Sequence, residues 1–187
     1  TERFRSVARE DGTAERCWTT ALRLLGETPD PDLASRALPA VAFVHDAWLR
    51  RPDAALGRLH EAYLAAVEHG DLDRADALHA LHCAHRFLAG EPLDGIADQL
   101  ADAPDCDDGA HAHRPDHAGF PAGAVRDRVR RVVERLAGGE RSTEPPPIVE
   151  DAYAASLCAT VELVAACVTG EIDRAGELTA APTAIPA

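Results

Sequence analysis

Apolar residues recur every three or four positions through most of this chain, which is the spacing that places them on one face of an α-helix. The segment 53–69 shows the pattern well, with large apolar side chains at Leu56, Leu59, Tyr63, Leu64 and Val67. Gly70 follows it, and glycine commonly ends a helix because it tolerates a left-handed backbone. The pattern therefore predicts an amphipathic helix that ends at Gly70.

The same spacing predicts helices over most of the remaining sequence. They are expected over residues 13–25, 32–51, 71–89, 92–103, 124–139, 148–169 and 171–178. Pro39 lies inside the second of these and marks a kink or a helix boundary, since proline lacks the backbone N–H of a helix interior. No comparable helical pattern is found over residues 103–123, which are rich in Asp, His, Pro and Gly and are expected to form a flexible loop.

Two of the predicted helix junctions carry nearly the same sequence, one hundred residues apart. Glu68–Leu78 reads EHGDLDRADAL, and Val168–Leu178 reads VTGEIDRAGEL. In both copies a glycine ends one helix and an acidic residue begins the next, where the helix dipole favours negative charge. A small alanine then permits the second helix to approach its neighbour closely. The predicted turn residues are Gly70, Asp71 and Ala75 in the first copy, and Gly170, Glu171 and Ala175 in the second.

The repeated junctions predict helical hairpins that bury their apolar faces by stacking on one another. Partial copies of the junction at Gly26, Gly90 and Gly138 have irregular spacing, so the repeats would be degenerate. The alternative is a helical bundle in which glycine followed by an acid is a common connector. Both interpretations predict an all-α fold, with residues 1–180 as one domain and residues 181–187 as a disordered tail.

Composition supports helices and restricts the choice of partners. Hydrophobic residues make up 46% of the 187 residues and aromatic residues 4%, so the core must consist largely of Ala, Leu and Val. The net charge is −13 and every basic residue is Arg, which argues against binding to nucleic acid. The Arg-only, Ala-rich composition is typical of GC-rich coding and indicates an actinobacterium-like source.

Other sequence features bear on the compartment. The charged N-terminal segment does not resemble a signal peptide, and no stretch of about 18 uninterrupted apolar residues predicts a membrane span. The five Cys residues form no CxxC pair, so reduced thiols are expected. We therefore expect a cytoplasmic protein that does not associate with membranes.

Histidine clusters are the strongest candidates for chemistry. His79, His82 and His85 share one predicted helix with Cys83, and spacings of three or four residues could bring pairs of them to one metal ion. His111 and His113 form a second cluster in the predicted loop. Neither cluster has a standard zinc spacing, so no cofactor is expected. The alternative is a small all-α metal-dependent enzyme or metal-binding protein that holds zinc or another transition metal at these five histidines.

Motifs for other chemistry are absent from the sequence. No Gly-rich phosphate loop and no G-x-S-x-G motif occurs, and a P-loop lysine is impossible without Lys. The acidic run Asp105–Asp108 is expected to be a solvated loop, because no second magnesium-binding segment accompanies it. The arginine-rich segment Arg126–Arg135 is likewise expected to be the solvated face of a helix.

Residues 41–100 resemble the helical, tetratricopeptide-like region that follows the nucleotide-binding module in large bacterial signalling ATPases, including multi-domain Ser/Thr kinase, ATPase and sensor kinase proteins. The residues that carry the resemblance are His45, Trp48 and Pro52, then Gly70, Asp71, Leu72 and Ala75, then Phe87, Gly90 and Leu93. The nucleotide-binding and kinase segments of those proteins are not in this sequence. The resemblance therefore implies the helical scaffold and not ATP hydrolysis.

These observations favour a non-catalytic scaffold of antiparallel helical hairpins, stacked as a degenerate tetratricopeptide-like solenoid or a bundle. Such a scaffold is expected to bind a protein or peptide partner, as a fragment of a signalling or regulatory ATPase or as its companion. Binding of the chain to a second copy of itself, as a homo-oligomer, is the alternative to a different partner.

Overall fold

The computed structural model describes residues 13–27, 30–40, 52–102, 120–138 and 149–180, and the structural statements below concern these residues. They form eight α-helices and contain no strand, so the predicted all-α fold is confirmed. The helices are α1 (Thr13–Glu27), α2 (Pro31–Ala40), α3 (Pro52–His69), α4 (Leu72–Leu88), α5 (Leu93–Ala101), α6 (Ala122–Leu136), α7 (Ala152–Thr169) and α8 (Ile172–Ala180).

Several helix boundaries differ from those expected. Helix α1 continues through Gly26 to Glu27, so the prediction that a partial junction at Gly26 ends this helix was wrong. Helix α2 is described as far as Ala40, one residue after Pro39, and the remainder of the predicted helix, 41–51, lies outside the described residues. Helix α6 begins at Ala122, inside the predicted loop 103–123. Pro121 precedes it directly, and the proline ring favours the backbone angle that the first turn of a helix needs. Residues 103–119 and 181–187 lie outside the description.

The chain divides into two compact units, residues 1–75 and 76–187, and the boundary falls inside α4. In the first unit α2 packs against α3. In the second unit α6 packs against both α5 and α7, and α8 packs against α7. The single domain expected over residues 1–180 stays a prediction.

Small and branched side chains form the two cores, in agreement with the composition. The buried residues of α3 are Ala55, Leu56, Leu59, Ala62 and Ala66, and those of α6 include Val125, Val129, Val132 and Val133. The expected stripe on α3 was wrong at Leu64 and Val67, which are 52% and 45% exposed. The buried face is centred on the alanines instead, because small side chains allow the neighbouring helix to approach closely.

Three helix junctions share one hydrogen-bond pattern around a left-handed glycine. Gly70, Gly90 and Gly170 have φ angles of 79°, 79° and 74°. At the first turn, the Gly70 N–H donates to the carbonyl oxygen of Val67 (3.0 Å) and the Asp71 N–H to that of Ala66 (2.9 Å). The corresponding distances are 3.0 Å from Gly90 and 3.1 Å from Glu91, and 3.3 Å from Gly170 and 2.9 Å from Glu171. All three are Schellman motifs, which satisfy carbonyl groups at a helix end.

Candidate functional site

The three histidines of α4 are turned towards the protein interior. His79 is 4% exposed, and His82 and His85 are half-buried. Burial lowers the pKa of both His79 and His85, because the charged imidazolium loses its hydration. These rings are therefore held in their neutral form near pH 7.

His82 belongs to a hydrogen-bond network that joins α4 to α5. Arg86 Nη1 donates to Gln99 Oε1 at 2.6 Å, which orients the amide so that Gln99 Nε2 donates to His82 Nδ1 at 2.9 Å. Arg86 also donates to the Gly95 carbonyl at 3.0 Å and to Glu91 Oε2 at 2.6 Å. One imidazole nitrogen of His82 is thus engaged in a structural contact.

The described residues contain no group of three or more His, Cys, Asp or Glu side chains arranged to hold a metal ion. Cys83, the thiol nearest to these histidines in sequence, is fully buried, and its burial raises the pKa to about 12. A thiol must lose its proton to bind metal, so this environment disfavours Cys83 as a ligand. His111 and His113 lie outside the described residues, and a metal site that involves them stays a prediction.

The arginine-rich helix α6 is not the solvated face that the sequence predicted. Arg126 forms an ion pair with Asp76 in which the side chains are 12% and 13% exposed, and Arg128 and Arg135 both pair with Glu162 of α7. The expectation was wrong because a single sequence does not show which acidic residues of neighbouring helices come close to these arginines after folding. Arg130, whose side chain is 45% exposed, does match it.

Glu162 is the buried charge around which α6 and α7 are joined. Glu162 is 8% exposed, and its carboxylate oxygens accept hydrogen bonds from Arg128 Nη1 at 3.4 Å and from Arg135 Nη2 at 3.2 Å. The sequence signal was a lone acid in an otherwise apolar helix. Two arginines from one partner helix offset the desolvation of that carboxylate, which would be unfavourable if unpaired.

Within the described residues, one helix is long and apolar enough to cross a membrane by length and composition. This is α7, Ala152–Thr169. It contains Glu162, which pairs with α6, and it packs against both α6 and α8. The core helix of a folded unit passes the same test of length and composition.

A second polar cluster holds α2 to the beginning of α4 in the first unit. Arg74 Nη1 donates to Asp32 Oδ1 at 3.0 Å and to Ser35 Oγ at 2.8 Å. Asp71 caps α4 by accepting from the Arg74 N–H at 3.1 Å, and it also pairs with the Arg74 guanidinium. Partial desolvation opposes ionisation of Asp32, but the hydrogen bond from Arg74 and the nearby Arg36 hold the pKa of that carboxyl below its usual value.

Exposed aliphatic side chains flank both repeated turns at matching positions. Leu72, the first residue of α4, is 49% exposed, and its counterpart Ile172, the first residue of α8, is 73% exposed. Val67, three residues before Gly70, and Val168, two residues before Gly170, are also exposed, but these two do not occupy equivalent positions. Each repeated turn therefore leaves a large apolar side chain in contact with water at the first position of its second helix.

Comparison of the chain with protein-family models, with curated proteins and with solved structures finds no match in any of the three. The geometry described above is therefore the basis for assigning a function.

Proposed function

We propose that this chain is a non-catalytic, tetratricopeptide-like helical-repeat scaffold that binds a protein or peptide partner. In this proposal it acts in the cytoplasm of an actinobacterium-like source, as a fragment of a signalling or regulatory ATPase or as its companion. The exposed aliphatic positions beside the two turns carry the proposal. Leu72 and Ile172 occupy the same register of two segments that share an 18-residue first helix and the same Schellman turn.

Repeat scaffolds bind partners through surfaces built from equivalent positions of successive hairpins. Folding leaves Leu72 in the first unit and Ile172 in the second unit in contact with water. A partner that covers either side chain gains the free energy of burying apolar surface, about 25 cal/mol per Å². The buried residues nearby, including Ala66 and Ala75, hold the backbone of the first turn in place. The first turn can therefore bind a partner without reorganisation of the two helices that it joins.

The proposal can be tested by site-specific photo-crosslinking in extracts of the source cells. A photoreactive phenylalanine at position 72 or 172 is expected to cross-link a defined partner, whereas the same residue at Leu33, which is similarly exposed on α2, is not. The partner is then purified and its affinity measured by calorimetry. Leu72→Ser and Ile172→Ser are expected to weaken binding at least fivefold, and Leu33→Ser to leave it unchanged.

Circular dichroism melting must first show that the serine variants fold like the wild type. Binding that is equally tight for all three variants would contradict the proposal, because the surface beside the turns would then have no part in recognition. Cross-linking from position 33 as efficient as that from positions 72 and 172 would contradict it too.

A further inference from the structure

The two repeated turns place an arginine at the same position, but its surroundings differ. The Arg74 side chain is 19% exposed and bonds to Asp32 and Ser35 of α2. The Arg174 side chain is 49% exposed and pairs with Glu177, three residues along its own helix, at 3.6 Å. The same side chain at the same register therefore holds a docked helix in one copy and lies at the surface in the other.

The docked helix α2 presents a simple pattern to Arg74. Asp32 and Ser35 are three residues apart, so they lie on one face of α2, and Leu38 continues that face into the core. Ser35 donates its hydroxyl hydrogen to the Asp32 carbonyl at 2.8 Å, which leaves its oxygen to accept from the arginine. The residues of α2 that bind Arg74 are thus an acid and a hydroxyl three residues later, and a buried aliphatic residue follows three residues after that.

The apolar side chains of the second copy are also more exposed to water than those of the first copy. Ala75 and Leu78 are buried, whereas the corresponding Ala175 and Leu178 are half-buried. No described residue of α8 is buried, although the helix packs against α7. Helix α8 thus has the same residue types as α4 at these three positions, Arg174, Ala175 and Leu178, with more of their surface in contact with water.

We infer that α8 binds an amphipathic helix of a partner protein that carries the pattern acid-x-x-Ser/Thr-x-x-aliphatic. Arg174 would donate to the carboxylate and to the hydroxyl, and Ala175 and Leu178 would contact the aliphatic residue. The guanidinium selects an acidic partner because charge-assisted hydrogen bonds with two acceptors are strong and directional. This inference rests on the proposed function and names the chemistry of the partner helix.

The test uses the full chain and a synthetic peptide probe. The probe contains DLASRAL, the sequence of residues 32–38, flanked by helix-forming Ala and Gln residues and labelled with fluorescein. The first turn does not compete for the probe, since α2 belongs to the same chain and stays bound at high effective concentration. Fluorescence anisotropy gives the affinity for the wild type and for its variants.

Arg174→Gln is expected to weaken peptide binding at least tenfold. Arg130→Gln is the matched control, because Arg130 is also about half exposed and also pairs with an acid three residues away in its own helix. Replacing the Asp and Ser of the peptide by Asn and Ala should weaken binding to the wild type and have little further effect on Arg174→Gln. Such coupling is what a double-mutant cycle measures for groups in direct contact.

Equal affinity for the wild type and Arg174→Gln, or no binding of the peptide up to millimolar concentration, would overturn the inference. It would also be overturned if the protein alone sedimented as a dimer that Arg174→Gln dissociates, since a second copy would then occupy α8. In each case the proposed function is judged separately, by cross-linking from positions 72 and 172 and by the serine variants. If the cross-linking and the serine variants give negative results while the peptide binds through Arg174, the proposed role of Leu72 and Ile172 is rejected. The assignment of α8 as a docking helix then stands.

Discussion

At the scale of single residues, paired charges stabilise the second unit from within. Glu162 and its two arginines lie between α6 and α7, and Asp76 pairs with Arg126. A buried ion pair has little net value against an apolar replacement of both partners, but removal of one partner leaves the other charge unpaired. The effect of a substitution on the free energy of unfolding therefore depends on which charged side chain remains unpaired.

Glu162→Ala is expected to lower the free energy of unfolding by roughly 3 kcal/mol, because two partly buried guanidinium groups lose their acceptor. Glu162→Gln should have a smaller effect, since its amide oxygen still accepts a hydrogen bond. Urea denaturation followed by circular dichroism provides the measurement.

Asp127→Ala is the control for Glu162→Ala, because Asp127 and Arg130 form an exposed pair within α6. It should change stability by at most about 0.5 kcal/mol. If both alanine variants unfolded at the same urea concentration, the buried triad would contribute no more than a surface pair.

At the scale of elements, the left-handed turns determine where helices end and the next ones begin. Their φ angles lie in a region that residues with a Cβ rarely adopt, which is why the sequence has glycine at Gly70, Gly90, Gly138 and Gly170. A Cβ added at Gly70 or Gly170 would meet no atom within 4 Å. Any effect of substitution there comes from the backbone conformation and not from a clash.

Gly70→Ala and Gly170→Ala are each expected to destabilise the protein by about 1 kcal/mol, through the strain of a left-handed alanine. Gly57→Ala is the matched control: Gly57 lies inside α3, and a Cβ there also has no neighbour within 4 Å. That variant should gain up to about 1 kcal/mol, because alanine is the better helix former. The urea midpoints of the three variants test whether the two turn variants lose stability and Gly57→Ala gains it. Stabilisation by Gly70→Ala would contradict the turn assignment.

At the scale of the whole molecule, two effects of pH oppose each other. The net charge of −13 becomes less negative as pH falls, which reduces repulsion between acidic groups. The buried histidines act in the other direction. Burial lowers the pKa of His79 and His85 in the folded state, so the unfolded chain binds more protons below about pH 6.5. Their contribution to stability is present above that pH and is lost as the pH falls towards the lowered pKa values.

His85→Gln is therefore expected to reduce the loss of stability between pH 7 and pH 5, whatever its effect at pH 7. His60→Gln, which replaces a histidine with an exposed side chain, should leave the pH dependence close to that of the wild type. The measurement is the free energy of unfolding in urea at a series of pH values. A pH dependence that is the same for His85→Gln and the wild type would show that His85 is not held neutral by the fold.

The helices and turns follow from local features of the sequence. The spacing of apolar residues predicts α3, α5 and α7, and glycine followed by an acid predicts the turns at Gly70 and Gly170. Both depend on interactions within a few residues along the chain, namely backbone hydrogen bonds, the helix dipole and the conformational freedom of glycine. A single sequence contains all the information that such interactions require.

Only the tertiary structure determined which residues distant in sequence pair with one another. Arg128 and Arg135 looked like solvated residues and are paired with Glu162, while Arg74 and Arg174 look identical and differ in their contacts. Composition and periodicity determined an all-α chain with an alanine- and valine-rich core. Burial, ion pairing and exposure depend on which helices come together, because these properties belong to side chains that meet only after the chain has folded.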